Sequence, residues 1–193
     1  MTIKRSIVAD KSDSTTSNEP GVEARPIKSV VESRIEMSQL MRPQHANFAG
    51  NVHGGTILAL MDEVAYTCAS RFAESYCVTV SVDSVEFLAP VRVGDVVRLK
   101  ASVILAGNTS MEVGISMIAE DPRHPGSGRR TNRCFLSMVA IGDDGRPTQV
   151  PQLRLETAED RTWNCEAKLR RQLRRRYKSD LAAGVCELDP DDA

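Results

Sequence analysis

After a glycine pair at Gly54-Gly55, the segment TILALMDEVAYTCASRFAES places apolar side chains at Ile57, Leu58, Met61, Val64, Ala65, Cys68, Ala69 and Phe72. Steps of three and four predict a long helix with a broad buried face. The chain beyond it is strand-like. One long helix and a run of strands cannot enclose each other as a bundle, so the helix must lie across one face of a curved sheet.

Five strands are predicted. Val30, Val31, Ile35, Met37 and Leu40 stand in near-alternation and predict a first strand ending at Arg42-Pro43. An ordered loop over Gln44 to Val52 joins it to the helix. Beyond the helix, a Val-rich strand alternates from Val78 to Phe87. VVRLKASVILAG and SMEVGISMIAED come next, with Gly107-Asn108-Thr109 as a hairpin turn between them. A Pro- and Gly-bearing loop, Asp121 to Gly128, precedes CFLSMVAIG, which closes at Asp143-Asp144-Gly145. The fold class is α+β: an antiparallel five-stranded sheet curved round a central helix. Strand order is left open by the pattern.

Residues 1–26 are polar and predict a flexible tail, and residues 27–154 form the folded domain. Residues 155–193 begin with ETAEDRTWNCEAKLRRQLRRRYK, acid early and base late, which suits a peripheral C-terminal helix and its dipole. The basic run from Lys168 to Lys178 reads as a solvated helix face rather than a phosphate or partner site. The last ten residues form an acidic tail. Twenty-five Lys and Arg against 26 Asp and Glu leave no general pull toward nucleic acid or an anionic membrane. Five cysteines without a CxxC pair, Cys186 the last, predict free thiols in a reducing compartment. With no signal-like or membrane-length apolar run, a cytoplasmic protein is expected.

The chemistry concentrates in Asn47-Phe48-Ala49-Gly50-Asn51-Val52-His53-Gly54-Gly55 and in Asp62, seven residues later. Adjacent glycines at a helix start let a ligand oxygen approach unpaired N–H groups, where the dipole favours negative charge. A tetrahedral oxyanion needs such a place. Asp62 falls on the stripe of Leu58 and Ala65, which reads as buried, and a buried acid is costly without a role or partner. Seven residues from Gly55 to Asp62 span roughly 10 Å of helix, too far for both to act on one carbonyl. If both are used, a two-fold dimer supplies the helix start from one chain and Asp62 from the other. Asn51 alternatively caps the helix or fixes the loop. His53 packs or shapes the loop rather than acting as a base.

GNVHGGTILALMDEVA, CVTVSVDSVEFLAPVRVGDVV and NTSMEVGISMIAED together resemble the hotdog-fold acyl-CoA thioesterases of the cytosolic (brain-type) acyl-CoA hydrolase family, over Ser33 to Leu153. The chain is most similar to single-domain bacterial members. The resemblance implies metal-free, cofactor-free hydrolysis of fatty acyl-CoA, with acyl-CoA and CoA as ligands. Asp62 would be general base or nucleophile and Asn51 its partner, with Gly54 and Gly55 as oxyanion donors. It also implies a homodimer at minimum, extending to a homohexamer built as a trimer of dimers. Thr109 and Ser110 would lie near CoA, and alternatively belong only to a turn. Leu58, Met61 and Phe87 would hold part of the acyl chain, with His53 nearby. Arg129 and Arg130, beside Arg133, suit the CoA phosphates, or alternatively a solvated loop. A regulatory acyl-CoA-binding hotdog protein without turnover and a hotdog hydratase are the rival readings.

Overall fold

In the computed structural model, which describes residues 25–184, the long helix α2 runs Gly54–Ala73. It starts at His53, whose backbone is extended and whose ring Nδ1 accepts the Gly55 N–H at 2.9 Å. It ends at Glu74, which takes the left-handed conformation at φ 53°. Ile57, Met61, Val64, Ala65, Cys68, Ala69 and Phe72 are buried along one face. That face lies across a five-stranded antiparallel sheet.

The sheet strands are β2 (Ile35–Leu40), β3 (Tyr76–Phe87), β4 (Val96–Ala106), β5 (Ser110–Glu120) and β6 (Arg129–Ile141). Their order is β2-β4-β5-β6-β3, so β3 folds back to the far edge instead of lying beside β4. Inward side chains alternate as the pleat requires: Val97, Leu99, Ala101 and Val103 on β4, Val113, Ile115 and Met117 on β5, Leu136, Met138 and Ala140 on β6. They form one core with the α2 face. The fold class expected from the sequence is the one observed.

The first expected strand is corrected. Val30 and Val31 lie in a one-turn helix, α1 (Val30–Ser33), and the strand begins only at Ile35. The Glu32 carboxylate accepts the Ser29 N–H at 2.6 Å and the Ser29 hydroxyl at 2.9 Å, which pins the helical turn. The buried Ser33 hydroxyl donates to Val30 O at 2.7 Å and accepts the Val103 N–H at 2.9 Å. It thereby caps the end of the β2–β4 ladder. Replacing Ser33 by alanine leaves the Val103 N–H buried and unpaired, with an expected loss of about 1–3 kcal/mol, measurable by urea denaturation.

A parallel pair that the sequence pattern does not reveal, β1 (Ile27–Ser29) with β7 (Gln152–Arg154), closes the domain's two ends. Three-residue strands are too short to carry a period. Of the tail expected over residues 1–26, only Arg25 and Pro26 are described, and Arg25 donates to Val150 O and Gly107 O at 2.6 Å each. Of the acidic C-terminal tail only Gly184 is described, and the rest, with Cys186, lies outside the described residues.

The C-terminal helix α3 (Ala158–Ala182) lies on the outer face of the sheet. Thr157 caps it by accepting the Asp160 N–H at 3.0 Å, and Asp160 returns the bond by accepting the Thr157 N–H at 2.9 Å. Trp163 lies on Gly114 of β5, where a β-carbon would come within 2.6 Å of the indole. The reading of the basic run as a solvated face is corrected at Arg170 and Arg174, while Lys168, Arg175, Arg176 and Lys178 are exposed as expected. The Arg170 guanidinium sits 3.5 Å from the Phe135 ring centroid, and Arg174 pairs with Glu112 at 2.8 Å and with Asp83. The sheet's outer face offers aromatic and acidic partners at just those positions, which draws the arginines inward.

Candidate active site

Asp62 projects from the third turn of α2 toward edge strand β3. Its Oδ1 accepts the Thr79 hydroxyl at 2.6 Å. Thr79 stands where β3 meets β6 opposite Met138, just before a bulge between Thr79 and Ser81. The stripe assigned from spacing is corrected: Asp62 is exposed in the single chain, and so are Leu58 (38%) and Tyr66 (42%) one turn to either side. The core takes the adjacent row through Ile57, Met61 and Val64. Met61, at 1% exposure, is packed into that core, whereas Leu58 and Phe87 have free surface.

At the helix start, the two expected N–H donors differ. The Gly55 N–H is turned to His53 Nδ1, and the Thr56 and Ile57 N–H groups point to His53 O at 3.0 and 3.3 Å. The Gly54 N–H has no partner among the described residues. Its missing side chain makes room for the Phe87 ring, which lies 3.5 Å from the place of a β-carbon. His53 thus shapes the helix entry, and its Nδ1 acts as acceptor, so the ring proton of this state is on Nε2.

The loop before the helix is organised by Asn47. Its Oδ1 accepts the N–H of Ala49 at 2.9 Å and of Asn51 at 3.1 Å. Its backbone N–H donates to Asn51 O at 2.6 Å, and Gly50 closes the turn at φ 78°. This leaves the Asn47 carboxamide NH2 free of partners among the described residues. Asn51 is held through its backbone. Its side chain caps nothing, since His53 is the cap.

Thr109 and Ser110 form the end of the β4–β5 hairpin, with the Gly107 N–H donating to Ser110 O at 2.7 Å and the Ala140 N–H to Thr109 O at 3.0 Å. Arg129 is engaged within the chain: it donates to Asp95 Oδ2 at 2.6 Å and to Pro90 O at 2.9 Å. Arg133 pairs with Glu166 at 2.6 Å and stacks on Trp163. Of the three, Arg130 is exposed and carries no ion pair among the described residues. Burial pushes the Cys68 thiol up to about 12 and the Cys134 thiol up to about 11. Neither is a thiolate near neutrality, which removes both as nucleophiles. Among the described residues no cluster of His, Cys, Asp and Glu could hold a metal ion, and no helix is long and apolar enough to cross a membrane.

Residues 49–125 match the model of the thioesterase superfamily. The protein VdlD of Helicobacter pylori is 39% identical over 155 residues, covering 79% of this chain and 88% of VdlD. The uncharacterized acyl-CoA thioester hydrolase YkhA of Bacillus subtilis is 33% identical over 156 residues, covering 78% of this chain and 89% of YkhA. The acyl-CoA hydrolase of Staphylococcus aureus, solved with butyryl coenzyme A, coenzyme A and coenzyme A disulfide, superposes with a TM-score of 0.74 at 32% identity, over 83% of this chain and 98% of that one. A hexameric acyl-CoA thioesterase solved in its apo form gives 0.76 at 34% identity, over 79% and 97%. Alanine variants of the Staphylococcus aureus hydrolase have also been solved, at an asparagine, at an aspartate 15 residues later and at a threonine 17 residues beyond that. Asn47, Asp62 and Thr79 stand at those same intervals here.

Proposed function

The chain belongs to the thioesterase superfamily, among its hotdog-fold acyl-CoA hydrolases, and from that premise we propose that it hydrolyses fatty acyl-CoA to the free acid and CoA at a site shared by two subunits. The Asp62–Thr79 hydrogen bond carries this reading. It joins two side chains 17 residues apart, and with Asn47 it reproduces the spacing of the three residues replaced in the Staphylococcus aureus hydrolase.

In the proposed reaction Asp62 takes a proton from water as the water attacks the thioester carbonyl. Direct attack by Asp62, through an anhydride, is the second route. Thr79 holds the carboxylate in one orientation. The carbonyl oxygen, as its charge develops, is met by the Gly54 N–H and the helix dipole. The proton returns to the CoA thiolate as it leaves. No metal is called for in this scheme.

The asparagine role passes from Asn51 to Asn47, whose NH2 is free to donate while its oxygen is fixed by the loop. Asn47→Ala is expected to lower kcat by roughly 100-fold or more, the loss typical of one well-placed oxyanion or water-orienting donor. Asn51→Ala should stay within a few-fold of wild type. Steady-state thiol release with one acyl-CoA distinguishes them, and the reverse ranking would restore Asn51.

Asp62 lies eight residues beyond Gly54, about 12 Å along the helix. The two therefore serve one carbonyl only across a subunit boundary. β3 supports such a boundary: it is an edge strand of 12 residues with Tyr76, Val80 and Val82 exposed at 59%, 61% and 49%. A long apolar edge invites pairing. Joined to its own copy about a two-fold axis, it would cover Leu58, Asp62 and Tyr66. Hexameric relatives support a further assembly of dimers. The activity itself is tested by thiol release from a panel of acyl-CoA esters, where binding without turnover would favour the regulatory reading.

A further inference from the structure

The basic side of α3 meets the Thr109–Ser110 end of the sheet in a concavity of about 240 Å³. Arg171, Arg174, Arg175 and Lys178 line it from the helix, and Ser110 and Ser137 from the strands. Glu112, which lines it, and Asp83 both pair with Arg174, and the second Glu112 oxygen, Oε2, is buried without a hydrogen-bond partner. Arg171, Arg175 and Lys178 converge on one hollow with no ion pair among the described residues, and the nearby Glu112 acts on Arg170 and Arg171 only through space. The Ser137 hydroxyl is buried there without a partner. Three cations without an ion pair of their own, within two turns of a helix, repel one another. Burial and the neighbouring Arg175 both lower the Arg174 pKa. A compact polyanion relieves that repulsion and gives the hydroxyls a partner, and guanidinium forks fit phosphate oxygens in particular.

We propose that this hollow between α3 and the β4–β5 hairpin is a binding site for a phosphate-bearing ligand of about diphosphate size. Two sources share that chemistry: the phosphates of the acyl-CoA substrate itself, in which case the inference rests on the function proposed above, and a free nucleoside diphosphate. Register places the hollow near the Asp62 end of the domain. Ser110 pairs with Val139, next to the Met138 that pairs with Thr79. Arg129 and Arg130 open β6 nine and eight residues before Met138, about 26–30 Å away along the strand. The hollow therefore lies away from Arg129 and Arg130, which the sequence suggested for the phosphates, while it includes Ser110, which the resemblance placed near CoA.

The test is the double variant Arg171→Ala/Arg175→Ala in the full chain, with a matched melting curve. Its KM is compared for an acyl-CoA and for the same acyl group on pantetheine, which carries no phosphate. If the hollow holds CoA, the KM ratio between the two substrates, large in the wild type, collapses by roughly tenfold or more with kcat little changed. If it holds a free nucleotide, the ratio stays. The rise in melting temperature that ADP or pyrophosphate gives the wild type is then lost in the variant. The proposal is overturned if the KM ratio is unchanged and neither ADP nor pyrophosphate shifts the wild type differently from the variant. A wild type that turns over no acyl-CoA ester defeats the hydrolase reading alone, because the ADP and pyrophosphate arm still reports on the hollow.

Discussion

Asp62→Asn is expected to lower kcat by about 1,000-fold, within the range that a positioned general base contributes, while leaving the fold and the binding of CoA esters in place. The amide is nearly isosteric and its oxygen still accepts the Thr79 hydroxyl, so the helix and strand stay in contact. What is lost is the group that takes the proton from water or attacks the carbonyl. Single-turnover and steady-state thiol release, alongside binding of a non-hydrolysable acyl-CoA ether, separate the two effects. Thr79→Ala should cost less, because the carboxylate keeps its chemistry and loses only its fixed orientation. A kcat near wild type in Asp62→Asn would remove Asp62 from the mechanism. A fall in both binding and melting temperature would make it structural instead.

Mixing an Asn47→Ala chain with an Asp62→Ala chain, each inactive alone, is expected to restore roughly a quarter of wild-type activity. With a shared site, a mixed dimer has one site that takes Asn47 and Asp62 from the intact positions of different chains. Its other site carries both lesions. Random exchange makes about half the dimers mixed, and each has one of two sites intact. Differently tagged chains verify the exchange. Mixed dimers that form without activity would show that each chain works with its own pair, against the 12 Å or so that separates Asp62 from Gly54 along one helix. Repeating the mixture with Asn51→Ala in place of Asn47→Ala asks the same question of the other asparagine.

Local patterning determined much of this protein. The three-and-four spacing of Ile57 through Phe72 placed α2, and alternation placed β3 to β6, because each period reports which face of an element is apolar. The glycine pair and the acid at Asp62 marked, by composition alone, the segment that holds the proposed site. Asn47 was legible in principle, as an asparagine in an Asn-x-x-Gly turn, but Asn51 beside the glycines is the more conspicuous residue. Thr79 gives no signal, since a threonine in a Val-rich strand is ordinary.

Tertiary structure decided the rest. A period says which way a residue faces and nothing about what lies opposite. The order β2-β4-β5-β6-β3 comes from long-range pairing, and it alone puts β3 at the edge and Thr79 against Asp62. A stripe four residues apart did not tell whether Leu58 and Asp62 turn to the core or stay uncovered beside it, because the two rows differ by one position round the helix. Val30 and Val31 were drawn into a turn by the Ser29–Glu32 contact. Arg170 and Arg174, read along the chain as part of a solvated run, were claimed by Phe135, Glu112 and Asp83, which only the folded sheet brings beneath them.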